Sequence, residues 1–142
     1  MNLTNKVLKV LGMGLASEML REELSPEVKL WRAVLTMALE DVLNTSQTRN
    51  ESVNKATAHD WFVNNSTDFQ NACFNAGLDA EWVRDRYLLA LDTGIIRFTK
   101  KQHLYVRYSA KYNELRNEKN TDERKKLQKI IDKLRQKIYR CK

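Results

Sequence analysis

Between residues 97 and 112 cations and aromatic rings alternate: Arg97, Phe98, Lys100, Lys101, His103, Tyr105, Arg107, Tyr108, Lys111 and Tyr112. Cations at near-helical intervals can follow a phosphate strand, and tyrosine rings can stack on bases or on guanidinium groups. The rings also fit a helix face, because Leu104, Tyr108, Tyr112 and Leu115 recur every three or four residues. Membership of that face is the preferred reading of Tyr108 and Tyr112. Further on, Arg124, Lys125, Lys126, Lys129, Lys133, Arg135, Lys137 and Arg140 surround a narrow apolar seam of Leu127, Ile130, Ile131, Leu134 and Ile138. Such a seam cannot stabilise a lone helix, so it must pack on residues 100–118 as a hairpin, on the rest of the chain, or on another subunit or partner. Catalytic chemistry is poorly provided for. His59-Asp60 and Glu40-Asp41 are sequence neighbours, which point about 100° apart on a helix and make no ready acid/base pair. The two His and two Cys are scattered, unlike a zinc site, and there is no phosphate-cradling glycine loop, nucleophile elbow or dinucleotide fingerprint. The expectation is a protein that is not an enzyme and uses no cofactor or metal.

Charge separates along the chain. Residues 1–96 carry nine Lys and Arg against thirteen Asp and Glu, a net of −4, while residues 97–142 carry sixteen against five, a net of +11. An acidic body with a basic C-terminal third suggests an arm for a polyanion, bound through counterion release from phosphates. A basic amphipathic helix can also lie on an anionic membrane, but this one lacks the Trp- and Leu-rich face such helices use. No run approaches the roughly 18 apolar residues of a membrane span. The stretch Val10–Ala16 is short for a secretory leader and reads as part of the first helix. Cys73 and Cys141 offer no disulfide framework, which suits a reducing cytoplasm.

Four Gly and one Pro in 142 residues leave too few breakers for a many-stranded sheet, so the expected class is all-α. Thr4 caps a first helix bearing Val7, Leu8, Leu11, Leu15 and Met19, weakened by Gly12 and Gly14. Ser25, Pro26 and Glu27 make a strong start for a second helix with a stripe from Val28 to Val42. Residues 44–53 lack periodicity and read as a loop. A third helix from about Asn54 to Val63 buries Ala58, Trp61 and Phe62. A fourth carries Phe69, Ala72, Cys73 and Ala76, and Gly77 can take a left-handed position before Asp79 caps a fifth. Residues 95–108 are ambiguous. They suit either a two-stranded wing or a helix capped by Thr99, with the helix preferred because its stripe continues past any strand. Asn120 to Glu123 then opens the last helix. The expected organisation is a five-helix body over residues 1–94 and a basic helical hairpin or bent helix over residues 97–142.

The segment from Phe69 to Leu88 resembles the helix-turn-helix of DNA-binding proteins. A small residue, Cys73, stands four before the turn glycine Gly77, the apolar Leu78 follows it, and Val83 lies six beyond. Arg86 stands where that family usually has an apolar residue, and Asp79, Glu81 and Asp85 lie on the second helix. Over residues 28–90, Leu30-Trp31-Arg32-Ala33-Val34-Leu35, Trp61-Phe62, Asp68-Phe69 and Val83-Arg84 are similar to small phage or prophage proteins of alphaproteobacteria. The outline of helix-turn-helix followed by α-hairpin resembles the small terminase subunit, which forms a ring and helps select DNA for packaging. The resemblance implies a DNA-binding homo-oligomer in a phage setting. In it Arg84 and Arg86 approach the groove while Arg97, Lys100, Lys101, Arg107 and Lys111 neutralise backbone charge. RNA remains open as the polyanion, because phosphate neutralisation barely distinguishes the two. The rival expectation is a protein-interaction module, a phage inhibitor or assembly adaptor, gripping another phage or host protein through Leu127, Ile130, Ile131, Leu134 and Ile138.

Overall fold

The computed structural model describes residues 3–141 and is helical, with no strand among them. Seven helices follow in order: α1 (Asn5–Met19), α2 (Pro26–Leu43), α3 (Arg49–Val63), α4 (Thr67–Asn75), α5 (Ala80–Asp92), α6 (Lys100–Asn117) and α7 (Thr121–Arg140). Side chains close most of their N-termini. Thr4, Ser25, Ser66, Asp79 and Asn120 each accept from a backbone N–H two or three residues on. Thr99 and Gln102 form a reciprocal capping box at α6. Residues 100–108 therefore belong to a helix, and the wing alternative is not what the chain adopts.

The chain divides into two compact units, residues 1–44 with 57–97 and residues 45–56 with 98–142. The first holds α1, α2, the second half of α3, α4 and α5 around one apolar core that includes Val7, Leu15, Leu35, Leu39, Phe62, Phe69, Tyr87 and Ile96. Phe62 stacks on Tyr87 with ring centroids 4.4 Å apart, and Phe69 meets Phe62 edge-on at 5.6 Å. Such aromatic pairs add about 0.5–1.5 kcal/mol beyond the area they bury. At the end of α4 the N–H of Gly77 donates to Phe74 O and that of Leu78 to Cys73 O, with Gly77 at φ 67°. This is a Schellman turn, and the positive φ explains the glycine.

The second unit contains the first half of α3 with the α6–α7 hairpin. Here the sequence reading needs correcting. Residues 49–53, expected in a loop, are helical, and residues 45–56 group with the C-terminal segment instead of the body. Periodicity missed this half-helix because its buried positions are Ser52 and Lys55, polar types that leave no apolar stripe. Thr48 starts it, accepting from the Glu51 N–H at 3.4 Å and, through its carbonyl, from the Ser52 hydroxyl at 2.6 Å. The buried Lys55 ammonium donates to Gln102 Oε1 at 3.2 Å and lies 4.8 Å from the Phe98 ring centroid. Gln102 in turn donates to Ser46 O at 2.9 Å. Counted over the sequence, the first unit has eight Lys and Arg against twelve Asp and Glu, net −4, and the second seventeen against six, net +11. The charge split therefore coincides with a structural division.

Candidate nucleic-acid interface

The cations expected to meet DNA fall into two kinds. Arg84 sits on α5 with Nε and Nη2 both donating to Val63 O, at 3.3 and 3.0 Å. That carbonyl ends α3, where intrahelical donors run out. Arg86 donates through Nε to Val10 O at 3.0 Å and through Nη2 to Lys9 O at 3.2 Å. These carbonyls are exposed by a break in α1 at Gly12, whose φ of 74° and ψ of 169° are non-helical. A Cβ on Gly12 would come within 2.9 Å of the Arg86 guanidinium carbon, so the glycine is needed both for its backbone angle and for this close approach. Both guanidinium groups are thus engaged by backbone carbonyls within the first unit, at the end of α3 and at the break in α1, in place of the free donors expected from the sequence. The exposed start of α5 carries Asp79, Glu81 and Asp85, a poor surface for phosphates.

Arg32, not singled out from the sequence, follows the same pattern more deeply. It is 2% exposed, with Nε donating to Ala76 O at 2.8 Å, Nη1 to Glu18 O, and Nη2 lying 3.8 Å from the Glu18 carboxylate. Desolvation lowers its pKa, opposed by the Glu18 charge, but an arginine starts so high that it keeps its proton. One buried guanidinium therefore joins the ends of α1 and α4 to α2.

The remaining predicted residues behave differently. Arg97 is exposed in the connection to α6. Lys111 is half-buried and pairs with Glu114 at 3.3 Å. Lys100 and Arg107 line a groove of about 710 Å³ on one side of the α6–α7 seam, with His103, Leu104, Lys137, Arg140 and Cys141. Lys101 lies in a second groove of about 520 Å³ with Arg49, Tyr105, Tyr108, Arg135, Ile138 and Tyr139. Neither lining contains a carboxylate. Among the described residues, the side chains of Lys100, Lys101, Arg107, Lys137 and Arg140 have no hydrogen bond or ion pair, and all but the half-buried Lys101 are exposed. Lys137 and Arg140 were visible in the sequence only as members of a general ring of charge. Arg49 gave no signal, since its segment read as loop.

The second groove is partly built in advance. The Arg49 guanidinium stands 5.0 Å from the Tyr108 centroid and 5.5 Å from that of Tyr112, and its Nε donates to Ser109 Oγ at 3.2 Å. Arg135 Nη2 donates to the Tyr108 hydroxyl at 3.3 Å. Tyr108 packs against the hairpin's apolar cluster, as expected, whereas Tyr112 meets Tyr108 at 6.2 Å between ring centroids and stands beside the cations Arg49 and Arg116.

The seam assigned to a partner is covered in part within the chain. Ile131, Leu134 and Ile138 are buried, with Leu134 and Ile138 in a cluster with Leu104 that Tyr105, Tyr108 and Cys141 flank. Leu127 is half-buried and Ile130 is 37% exposed. Among the described residues no three His, Cys, Asp or Glu gather to hold a metal, and no helix is long and apolar enough to cross a membrane. The fold and its grooves define an all-helical protein with a compact cationic unit. No protein-family model, curated protein or solved structure matches the chain.

Proposed function

We propose that this protein binds nucleic acid, duplex DNA foremost, through phosphate contacts made by the unit of α6, α7 and the start of α3. The observation that carries the reading is the pair of carboxylate-free grooves flanking the hairpin, with unpaired Lys100, Lys101, Arg107, Lys137 and Arg140. Structural ion pairing would have placed Asp or Glu opposite such cations, as it does for Lys126 with Glu123 at 3.3 Å. Leaving them unmatched costs self-repulsion that a polyanion relieves. Contacts of this kind carry little sequence information, so the binding is expected to be largely sequence-independent. A phage or phage-derived setting, with a packaging or regulatory role like that of a small terminase subunit and a homo-oligomer repeating the basic face, completes the proposal. Its support is the sequence resemblance alone.

The test is a salt titration of binding to a random-sequence duplex. With about six phosphates neutralised, affinity should fall roughly a thousandfold between 50 and 200 mM salt. An isotherm indifferent to salt would reject the proposal. Direct competition between DNA and RNA identifies the preferred polymer. The adaptor reading is the less supported one, because Leu134 and Ile138 already pack with Leu104 within the hairpin and Ile131 is buried. Light scattering followed by a mobility shift separates the two: a defined oligomer that shifts DNA favours the first, and a monomer that shifts nothing favours the adaptor.

A further inference from the structure

The two grooves differ in a way that phosphate binding does not require. The groove of Lys100, Arg107, Lys137 and Arg140 contains no Tyr, Phe or Trp and suits a strand of phosphates. The groove of Lys101, Arg49 and Arg135 contains three tyrosines, Tyr105, Tyr108 and Tyr139. Tyr108 is engaged by the Arg49 and Arg135 guanidinium groups, at 5.0 and 5.9 Å. Tyr105 and Tyr139 have no ring or cation partner among the described residues, and Tyr139 is 91% exposed. A tyrosine so exposed stabilises no core, yet here it borders a concave cationic surface of about 520 Å³, within the roughly 300–1,000 Å³ of small-ligand pockets.

Resting on the reading that the unit binds nucleic acid, we infer that this groove takes an unpaired nucleotide. Its base lies on Tyr105 or Tyr139 and its phosphate meets Lys101 and the unused guanidinium donors of Arg49. In a duplex the base faces are occupied by neighbouring bases, so these rings can stack only on a nucleotide outside the helix, at a frayed end, an overhang or a single strand. Arg49 is fixed for this by Ser109 and Tyr108, which reduces the ordering cost of a contact. The preferred ligand of the whole unit is then a nucleic acid that presents unpaired bases beside a phosphate track. An acidic peptide with an aromatic residue is the competing occupant. The nucleic acid is favoured because the second groove adjoins a second carboxylate-free surface across the seam, which a long polyanion can use and a short peptide cannot.

The experiment compares the full-length protein on three labelled probes at one salt concentration: a blunt duplex, the same duplex with a five-nucleotide overhang, and that duplex with the overhang made of abasic sugars. The abasic probe keeps every phosphate and removes only the bases. The base-bearing overhang should bind about fivefold tighter than the abasic one, the low end of what one stacked base contributes. Tyr139→Ala, a change at an exposed position, should reduce that ratio, and Tyr105→Ala with Tyr139→Ala should abolish it. Tyr105→Phe with Tyr139→Phe should keep it, because the ring face does the stacking. Equal affinity for both overhangs, or a preference that survives both Ala changes, overturns the inference while leaving phosphate binding intact. An acidic aromatic peptide that binds this groove, while the base-bearing overhang binds no tighter than the abasic one, also overturns it. Failure of all three probes to bind in a salt-dependent way would instead remove the phosphate reading on which it stands.

Discussion

The two units hold some of their cations in opposite ways. In the acidic unit Arg32, Arg84 and Arg86 point their guanidinium groups at backbone carbonyls where helices end or break. In the basic unit Lys100, Arg107, Lys137 and Arg140 have no protein acceptor among the described residues. The difference follows from local geometry. Short helices and a kinked α1 leave many terminal carbonyls within reach of α2 and α5, and a five-donor fork satisfies several at once. The long helices of the hairpin have few ends, and the one between α6 and α7 already has Arg124, which donates to Leu115 O and Glu118 O at 2.7 and 2.8 Å. Lys100, Arg107, Lys137 and Arg140 are left with only solvent or a ligand to meet. A positive charge therefore indicates nucleic-acid binding only after the helix ends within its reach have been accounted for.

Substitutions can break this contrast. The largest effect is expected from replacing Lys100, Arg107, Lys137 and Arg140 together with Ala. Affinity for duplex DNA near 0.1 M salt should fall on the order of a thousandfold, and the salt slope should drop by about 3–4. Thermal stability should hardly move, since none of the four has a protein partner. Arg84→Ala with Arg86→Ala should do the reverse, leaving DNA affinity within about twofold while costing about 1–2 kcal/mol each in hydrogen bonds to carbonyls. If those two changes abolish binding, the assignment of the interface to the hairpin is wrong.

Arg32→Met tests the buried end of the same idea. It keeps the volume but leaves the Ala76 and Glu18 carbonyls without their donor, so unfolding free energy should fall by about 3–5 kcal/mol in a urea titration. Gly12→Ala should cost about 1–3 kcal/mol, because its φ and ψ lie in a region that only glycine occupies readily. The added methyl also meets Arg86. Gly12→Ala combined with Arg86→Ala should therefore cost less than the sum of the two, since the side chain that the methyl strikes is gone.

The division between what sequence reveals and what it hides follows the same physics. Apolar periodicity and polar caps placed α1, α2, α4, α5 and α7 well, because Val, Leu and Phe must be buried and Ser, Thr and Asn must cap. Gly77 was readable because a left-handed turn allows few alternatives. The start of α3 was not, because Ser52 and Lys55 are buried through hydrogen bonds and a ring contact, and neither resembles a core residue in isolation. The charge split was plain, and with it the hairpin as the cationic part. What no composition could tell is which arginines a carbonyl already holds. Arg86 and Arg107 look alike in sequence, and only the break at Gly12 distinguishes them.

Cysteine chemistry gives a smaller and cleaner measure of the difference between the units. Cys73 is fully buried in the acidic unit, and desolvation, with the Asp79 charge adding to it, pushes its thiol up from 9.0 to about 11. The folded state therefore keeps a proton that the unfolded chain releases above pH 9. Stability from this group is fully present below pH 9 and is lost as pH rises from 9 to 11. Burial, with the Asp60 charge, raises the Tyr87 phenol in the same direction and extends the loss to more alkaline conditions. The urea midpoint of the wild-type protein should thus decline from pH 9 to pH 11, and Cys73→Ala should flatten that decline whatever it costs at neutral pH. Cys141, half-exposed in the groove lined by Lys100, Arg107, Lys137 and Arg140, should react with a thiol reagent in the native protein at pH 8, and Cys73 only after unfolding. Two thiols titrating natively would mean that the acidic unit opens far more readily than its packing around Phe62, Phe69 and Tyr87 allows.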